Sequence, residues 1–234
     1  MKNILPESTE KLWRFSQAEG LLPGALLIGG TALALQIQHR MSLDLDVIWL
    51  DPKLPRFVIS QYLKSLRENG FEVLSNDDPE LIIEAINCSV ELHDFRQDYL
   101  INGTKITFFS PDEPDRRLFQ ANLSNKIQVA SLQEIFDSKA YVISKRTKSR
   151  DWIDLYFLIH DHGFSIIDFY NAYQKAGDKM AWNTGMARLI SATPLANDEG
   201  YLSLLENPPT LSEIGCFFKE QRDLLEDYLL NRSN

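Results

Sequence analysis

Apolar and polar positions follow two periods along this 234-residue chain. Residues 8–19 carry Leu12, Trp13 and Phe15 at helical spacing, and Pro23-Gly24 breaks the segment. Residues 25–28 form a short apolar run suited to a buried strand. Gly29-Gly30 follows, and 31–38 predicts a short helix with Ala32 and Leu35 facing inward. After a turn at 39–42, Leu43, Leu45 and Val47 alternate with Asp44 and Asp46, which predicts a strand over 43–50. Residues 55–69 predict an amphipathic helix ending at Gly70, a plausible C-cap. Strands are expected at 71–74, 81–86, 89–95 and 105–109, the last after an Asn102-Gly103 turn. Residues 110–117 predict a loop and 127–130 a last strand. The remainder is helical. Ser131-Leu-Gln-Glu134 is a capping box opening a helix to about Arg146. Helices at 151–160, 165–175, 179–191 and 210–231 are expected after it. The pattern predicts an α/β (α+β) core over 1–125 and a helical part over 126–234, with a nucleotide cleft between them.

Composition narrows the function classes. Hydrophobic residues make up 44% of the chain, which can supply a sizeable core. Cys88 and Cys216 form no disulfide framework, and no secretory signal is visible, so a reducing cytoplasm is expected. No apolar run approaches the ~20 residues of a membrane span, so no membrane partner is expected. A net charge of −9 argues against a protein that coats nucleic acid, because phosphate binding needs clustered Lys and Arg. One local basic stretch exists: residues 126–150 hold six basic side chains against Glu134 and Asp137.

The chemistry centres on Asp44 and Asp46. Period two puts both carboxylates on one strand face, where leaving both ionised is costly. A divalent cation removes that cost, and hard oxygen ligands suit Mg²⁺ or Mn²⁺, which then grip a substrate's phosphates. By itself Asp-x-Asp is more often two solvated acids. The upstream turn changes the balance. Glycines let the backbone approach a phosphate, and a helix N-terminus offers N–H groups and a positive dipole end. Gly29, Gly30 and Thr31 supply such a cradle one short helix ahead of the aspartates.

Ile28-Gly-Gly-Thr-Ala-Leu-Ala-Leu35, followed by His39-Arg40-Met-Ser42-Leu-Asp44-Leu-Asp46, resembles the first motif of the AbiEii/AbiGii nucleotidyltransferase toxin family. That family belongs to the DNA polymerase β-like superfamily. A second match lies downstream: Ser131-Leu-Gln-Glu-Ile-Phe-Asp-Ser-Lys139-Ala, then Lys145-Arg-Thr-Lys-Ser-Arg150-Asp151-Trp-Ile-Asp154-Leu. The resemblance implies a mixed-sheet nucleotidyltransferase core and an intracellular toxin acting with an NTP. It implies catalytic roles for Asp44, Asp46, Lys139 and Asp154, with Ser42 in the active site. Ser42, Lys139 and Arg150 join residues 29–31 as nucleotide-binding positions. A third metal carboxylate is expected on a neighbouring strand, with Glu91 the best-placed candidate and Asp94 the next. Asp154 would accept a proton from the attacking hydroxyl or orient Lys139. Asp151, at a helix start, reads first as a cap. The acceptor is an RNA such as tRNA, or a protein, and a cognate antitoxin is an expected partner. Two alternatives stay open: a small-molecule enzyme of the aminoglycoside type, and a non-catalytic nucleotide-binding module.

Overall fold

Helix α1 (Glu7–Ser16) leads into strand β1 (Leu26–Ile28), helix α2 (Gly29–Ile37) and strand β2 (Leu45–Ile48). Helix α3 (Arg56–Glu68), strand β3 (Val73–Ser75), helix α4 (Pro79–Asn87) and strands β4 (Arg96–Ile101) and β5 (Thr104–Phe109) follow. The one-turn helix α5 (Glu113–Arg116) and strand β6 (Gln128–Val129) complete this half. The computed structural model describes residues 4–232. Its strands pair in one mixed sheet, in the order β3-β4-β5-β2-β1-β6. β2 runs antiparallel to β1 and parallel to β5. β4 and β5 form a hairpin around Asn102-Gly103, both at positive φ as a tight hairpin turn demands.

Alternation sets the two faces of this sheet. Leu45 and Val47 of β2 share a face with Ile106 and Phe108 of β5, and all four are buried. The rings of Tyr62 on α3 and of Trp49 pack against Phe108, 5.9 Å away in each case. Asp46 therefore points to the other face.

Several expectations need correction. Residues 81–86 are helix, not strand. Asp78 caps α4 by accepting from the Glu80 amide, and Pro79 stands at its first turn, where a missing N–H costs nothing. Residues 89–95 are not a strand either; they close through a short 3₁₀ turn over Leu92–Asp94. The strand next to β5 is instead Arg96–Ile101, whose polar start hides it from a hydrophobicity pattern. The 110–117 loop contains α5, capped by Asp112. In α2 the fully buried residues are Ala32, Leu33 and Ala34, while Leu35 is half-buried.

The chain divides into two compact units, the first ending at Ser131 and the second starting at Leu132. The second holds α6 (Leu132–Val142), α7 (Ser149–Asp161), α8 (Ile166–Ala176), α9 (Trp182–Ser191) and α10 (Leu211–Arg232). Phe136, Trp152, Phe169, Tyr173 and Phe218 fill its interior. α6 stops at Val142, short of Arg146, where the backbone tightens into bonds three residues back and the Ser144 hydroxyl donates to the Tyr141 carbonyl. A reciprocal capping box, Ser165 with Asp168, opens α8. Among the described residues, no helix is long and apolar enough to cross a membrane.

Candidate active site

The turn that opens α2 is built around Asp46. Gly29 has φ +73°, a left-handed conformation that favours glycine. A Cβ added there would lie 2.5 Å from Asp46 Oδ2. Both the conformation and the space therefore demand glycine, and the backbone of the turn lies directly against the carboxylate. A Cβ on Gly30 would fall 2.7 Å from Arg40 Nη2 and 3.1 Å from Ser42 Oγ. Ile28 caps α2 without a side-chain bond, and the first turn carries no acidic residue. Its N–H groups and positive dipole end face the Asp46 carboxylate side of the turn, a setting that favours negative charge.

Buried hydroxyls brace the turn from behind. Thr31 Oγ1 donates to Ser42 Oγ at 2.9 Å and also contacts the Asp44 carbonyl oxygen. The Ser42 amide donates to Ile4 O. Arg40 is buried and donates from Nη1 to the Met41 carbonyl at 3.0 Å. Ser42 is 6% exposed, so its hydroxyl holds the motif loop to α2.

Strand register extends the site sideways. Asp46 pairs with Thr107 across β2–β5, and Thr107 pairs with Asp98 across β5–β4. Cross-strand partners share a face, so Asp46, Thr107 and Asp98 form one row. The Thr107 hydroxyl donates to Asp98 Oδ1 at 2.7 Å, which fixes that alignment. Asp98 is almost wholly buried. It accepts from Arg96 Nε at 2.5 Å and Arg96 Nη2 at 3.0 Å, and Lys105 Nζ lies 3.7 Å away. Its amide donates to Asp77 Oδ1, whose other oxygen is 2.9 Å from His93 Nε2.

Glu91, expected as a third metal carboxylate, lies off the sheet, exposed, just before the 3₁₀ turn. Asp94 is tied to Lys53 and Arg56. The residue facing Asp46 from β5 is Thr107, a hydroxyl and not an acid. Among the described residues no three His, Cys, Asp or Glu side chains cluster as a metal cage. Asp46 sits in β2, which begins at Leu45 and not at 43 as expected, and Asp44 lies just before the strand; both are hard oxygen donors of the type a Mg²⁺-type ion takes. Such an ion is usually held by one or two carboxylates, with waters and substrate phosphates completing its shell. The glycine turn packs against Asp46 Oδ2, where a side chain would intrude.

The helical unit holds a cluster of its own. Lys139 on α6, only 6% exposed at its side chain, lies 2.7 Å from Asp151 Oδ1 and 2.8 Å from Asp154 Oδ2 on α7. The i, i+3 spacing puts both acids on one helix face. Arg146 closes on Asp151 with Nε–Oδ2 at 2.8 Å and Nη2–Oδ1 at 3.2 Å. Burial pushes the Asp151 carboxyl up, but the Lys139 and Arg146 charges overcome it and hold it below the ordinary range. Asp151 is therefore a second anchor of Lys139 and more than a helix cap. Arg150 turns away to Glu199 and the Gly200 carbonyl and stands outside this cluster.

The sequence reading missed Arg96, Asp98 and Thr107. A signal for them existed. A two-residue turn at Asn102-Gly103 pairs Ile101 with Thr104, and counting outward brings Asp98 opposite Thr107.

The chain matches the family model described as "Nucleotidyl transferase AbiEii toxin, Type IV TA system" over residues 12–201. It is 25% identical over 232 residues to an uncharacterised protein of Aquifex aeolicus, covering 99% of this chain and all of that protein. Its fold is similar to the crystal structure of JHP933 from Helicobacter pylori. The TM-score is 0.53 at 21% identity, covering 98% of this chain and 96% of the other. It is also similar to MenT4, the nucleotidyltransferase toxin Rv2826c of Mycobacterium tuberculosis H37Rv. There the TM-score is 0.54 at 13% identity, with coverage of 89% and 82%.

Proposed function

Because this chain belongs to the AbiEii nucleotidyl transferase toxin family, we propose that it moves a nucleotide from an NTP onto the end of an RNA acceptor, tRNA being the first candidate, in a reaction that requires Mg²⁺ or Mn²⁺. One observation carries the reading: the left-handed glycine turn at the start of α2 lies against the carboxylate of Asp46, so phosphate-binding amides and a metal-binding oxygen meet at one point.

The acceptor hydroxyl oxygen forms a bond to the α-phosphorus as its proton passes to solvent, the bond from the α-phosphorus to the oxygen bridging to the β-phosphate breaks, and pyrophosphate leaves. Charge spreads over the phosphoryl oxygens in the transition state, so positioning and positive charge do most of the work. The amides of residues 29–31 orient the triphosphate. Asp44 and Asp46 would hold the divalent ion, which would supply positive charge to the transferring phosphoryl group. The family motif implies a phosphate-directed role for Lys139, which the helical unit buries against Asp151 and Asp154. Asp154, fully buried and bonded to Lys139, acts as its positioning residue. A cognate antitoxin in the same module is the expected protein partner, consistent with the family's type IV toxin–antitoxin description.

The test is direct. The purified protein is incubated with each α-labelled NTP, Mg²⁺ and total tRNA. Label should enter the RNA with at least one NTP, and chelation should stop it. A folded protein that labels no RNA with any NTP refutes the proposal.

A further inference from the structure

One sheet face of the first unit carries more chemistry than the nucleotide needs. Asp46, Thr107 and Asp98 run across it in a row, and the spacing of two along each strand adds Lys105 and Arg96 to the same face. Asp98 gathers both cations, Arg96 by a two-point contact and Lys105 at 3.7 Å. Their side chains remain 37% and 41% exposed, while that of Asp98 is 3% exposed. The acid is thus the buried anchor, and the cations are the part that meets a ligand.

We propose that Arg96 and Lys105 form the acceptor subsite, binding a phosphodiester group of the RNA strand whose end receives the nucleotide, with Asp98 as the positioning residue that presents them. This rests on the transfer to RNA proposed above. Three observations carry it.

The first is side. The strand order β4-β5-β2-β1 puts the glycine turn, which follows β1, on one flank of Asp46 and the Arg96–Lys105 pair on the other. In-line transfer needs the attacking oxygen and the leaving pyrophosphate on opposite sides of the α-phosphorus, which this reading places at Asp46. With the turn built for the triphosphate, the cationic flank falls to the acceptor.

The second is geometry. A guanidinium has five N–H donors in a planar fork. The contacts to Asp98 engage one edge through Nε and Nη2. The remaining donors form the edge that bidentate phosphate recognition uses. Burial disfavours the charged guanidinium, but its bonds to Asp98, with the charges of Asp98, Asp46 and Asp78, hold it more firmly protonated than an ordinary arginine.

The third is access. Arg96 and Lys105 are the half-exposed charges of this flank and the acid between them is buried, so an approaching RNA phosphate meets the two cations first. Asp77 and Asp78 lie nearby, but Asp77 is occupied by His93 and the Asp98 amide, and Asp78 caps α4. The subsite suits one or two phosphates and not a long duplex.

The experiment compares the parent with Lys105→Ala, Arg96→Gln and Arg96→Lys. It measures KM for total tRNA, KM for the NTP, and tRNA binding by anisotropy across a salt series. Lys105→Ala, the substitution least able to disturb the fold, should raise the tRNA KM about 3- to 10-fold. It should also flatten the slope of log affinity against log salt by about 0.7, the value of one phosphate contact on a single strand. The NTP KM should stay within about twofold. Arg96→Gln should do the same more strongly, and Arg96→Lys should restore the salt slope while recovering only part of the KM. If the parent labels tRNA and these variants leave both the tRNA KM and the salt slope unchanged, the subsite is wrong and the transfer proposal stands. If the NTP KM rises instead, the phosphate bound there belongs to the nucleotide and the acceptor assignment is overturned. If the parent labels no RNA, both fall together.

Discussion

Removing the Lys139 ammonium should destabilise the helical unit before any effect on nucleotide binding is considered. Lys139→Ala leaves Asp151 and Asp154, both essentially unexposed, without the cation 2.7 and 2.8 Å away. Breaking a buried pair by deleting one partner costs about 3–5 kcal/mol, because the remaining charge is stranded. Arg146 still neutralises Asp151, so the cost falls mainly on Asp154 and the low end, about 3 kcal/mol, is expected. For a chain of this length each kcal/mol moves Tm by roughly 2–4 °C, giving a fall of about 6–12 °C. The pH dependence fixes the mechanism. In the parent the Asp151 carboxyl is held below its ordinary value, so its stabilisation is present above that value and is lost as pH falls through the folded one. In the variant Arg146 still opposes burial at Asp151, whereas the buried Asp154 carboxyl has lost Lys139 and its protonated form is favoured. The deficit should therefore be largest at neutral pH and shrink toward the carboxylate range near about pH 4. Thermal melts at several pH values measure this. Adding Asp154→Asn to Lys139→Ala should recover part of the lost Tm, because the stranded charge is gone, yet transfer should stay absent. The exposed Lys64–Glu68 pair is the control, and Lys64→Ala should not move Tm measurably. A Lys139→Ala protein with the parent's Tm at neutral pH would refute the buried-cluster argument.

Other outcomes follow from the first unit. Asp44→Ala should abolish transfer while leaving the circular dichroism spectrum and Tm close to the parent's; full activity in that folded variant removes the metal assignment. Gly29→Ala meets both a left-handed φ and the Asp46 carboxylate, so it should cost about 1–3 kcal/mol and lower transfer by about 10²-fold, read by melts and the labelling assay. A variant indistinguishable from the parent in both would show that the turn does not need glycine. Ser42→Glu should remove nearly all transfer, since a carboxylate beside Gly30 and Asp44 opposes an incoming triphosphate, whereas Ser42→Ala should lose less; a Ser42→Glu protein as active as the parent excludes any role for that position at the site.

Where local spacing carried the message, the sequence could be read directly. Gly29, Gly30, Thr31, Asp44 and Asp46 lie within one β-α-β passage, so short-range period and turn chemistry suffice to bring them together. Lys139 and Asp154 also lie close in sequence, on consecutive helices. What stayed hidden needs pairing across strands. Arg96-Gln-Asp98 begins a strand with polar residues, and its meaning appears only when the hairpin register sets Asp98 beside Thr107 and Thr107 beside Asp46. The misassigned strand at 81–86 has a related cause. Leu81, Ile82 and Ile83 are β-branched or apolar enough to suggest strand, but the Asp78-Pro79 cap fixes the backbone as helix and leaves Ile83 and Ile86 exposed.

The structure also moves the electrostatic case for an RNA acceptor from one place to another. The basic stretch at 126–150 was the part of this acidic chain that kept such an acceptor open. Most of its cations are committed within the helical unit. Lys139 and Arg146 neutralise buried aspartates, Arg150 holds Glu199, and Lys145 lies over the Tyr141 ring at 4.6 Å. Cations tied down in this way release few counterions from a nucleic acid and contribute little salt-dependent affinity. Arg96 and Lys105 are half-exposed on a buried acid, as Arg146 is on Asp151, but they lie on the sheet face that carries Asp46. An enzyme of net charge −9 that grips one or two phosphates beside its metal carboxylates would repel most of a long polyanion and tolerate only its end. Net acidity and an RNA acceptor are then compatible, provided the acceptor is addressed at its terminus, where a nucleotide is added.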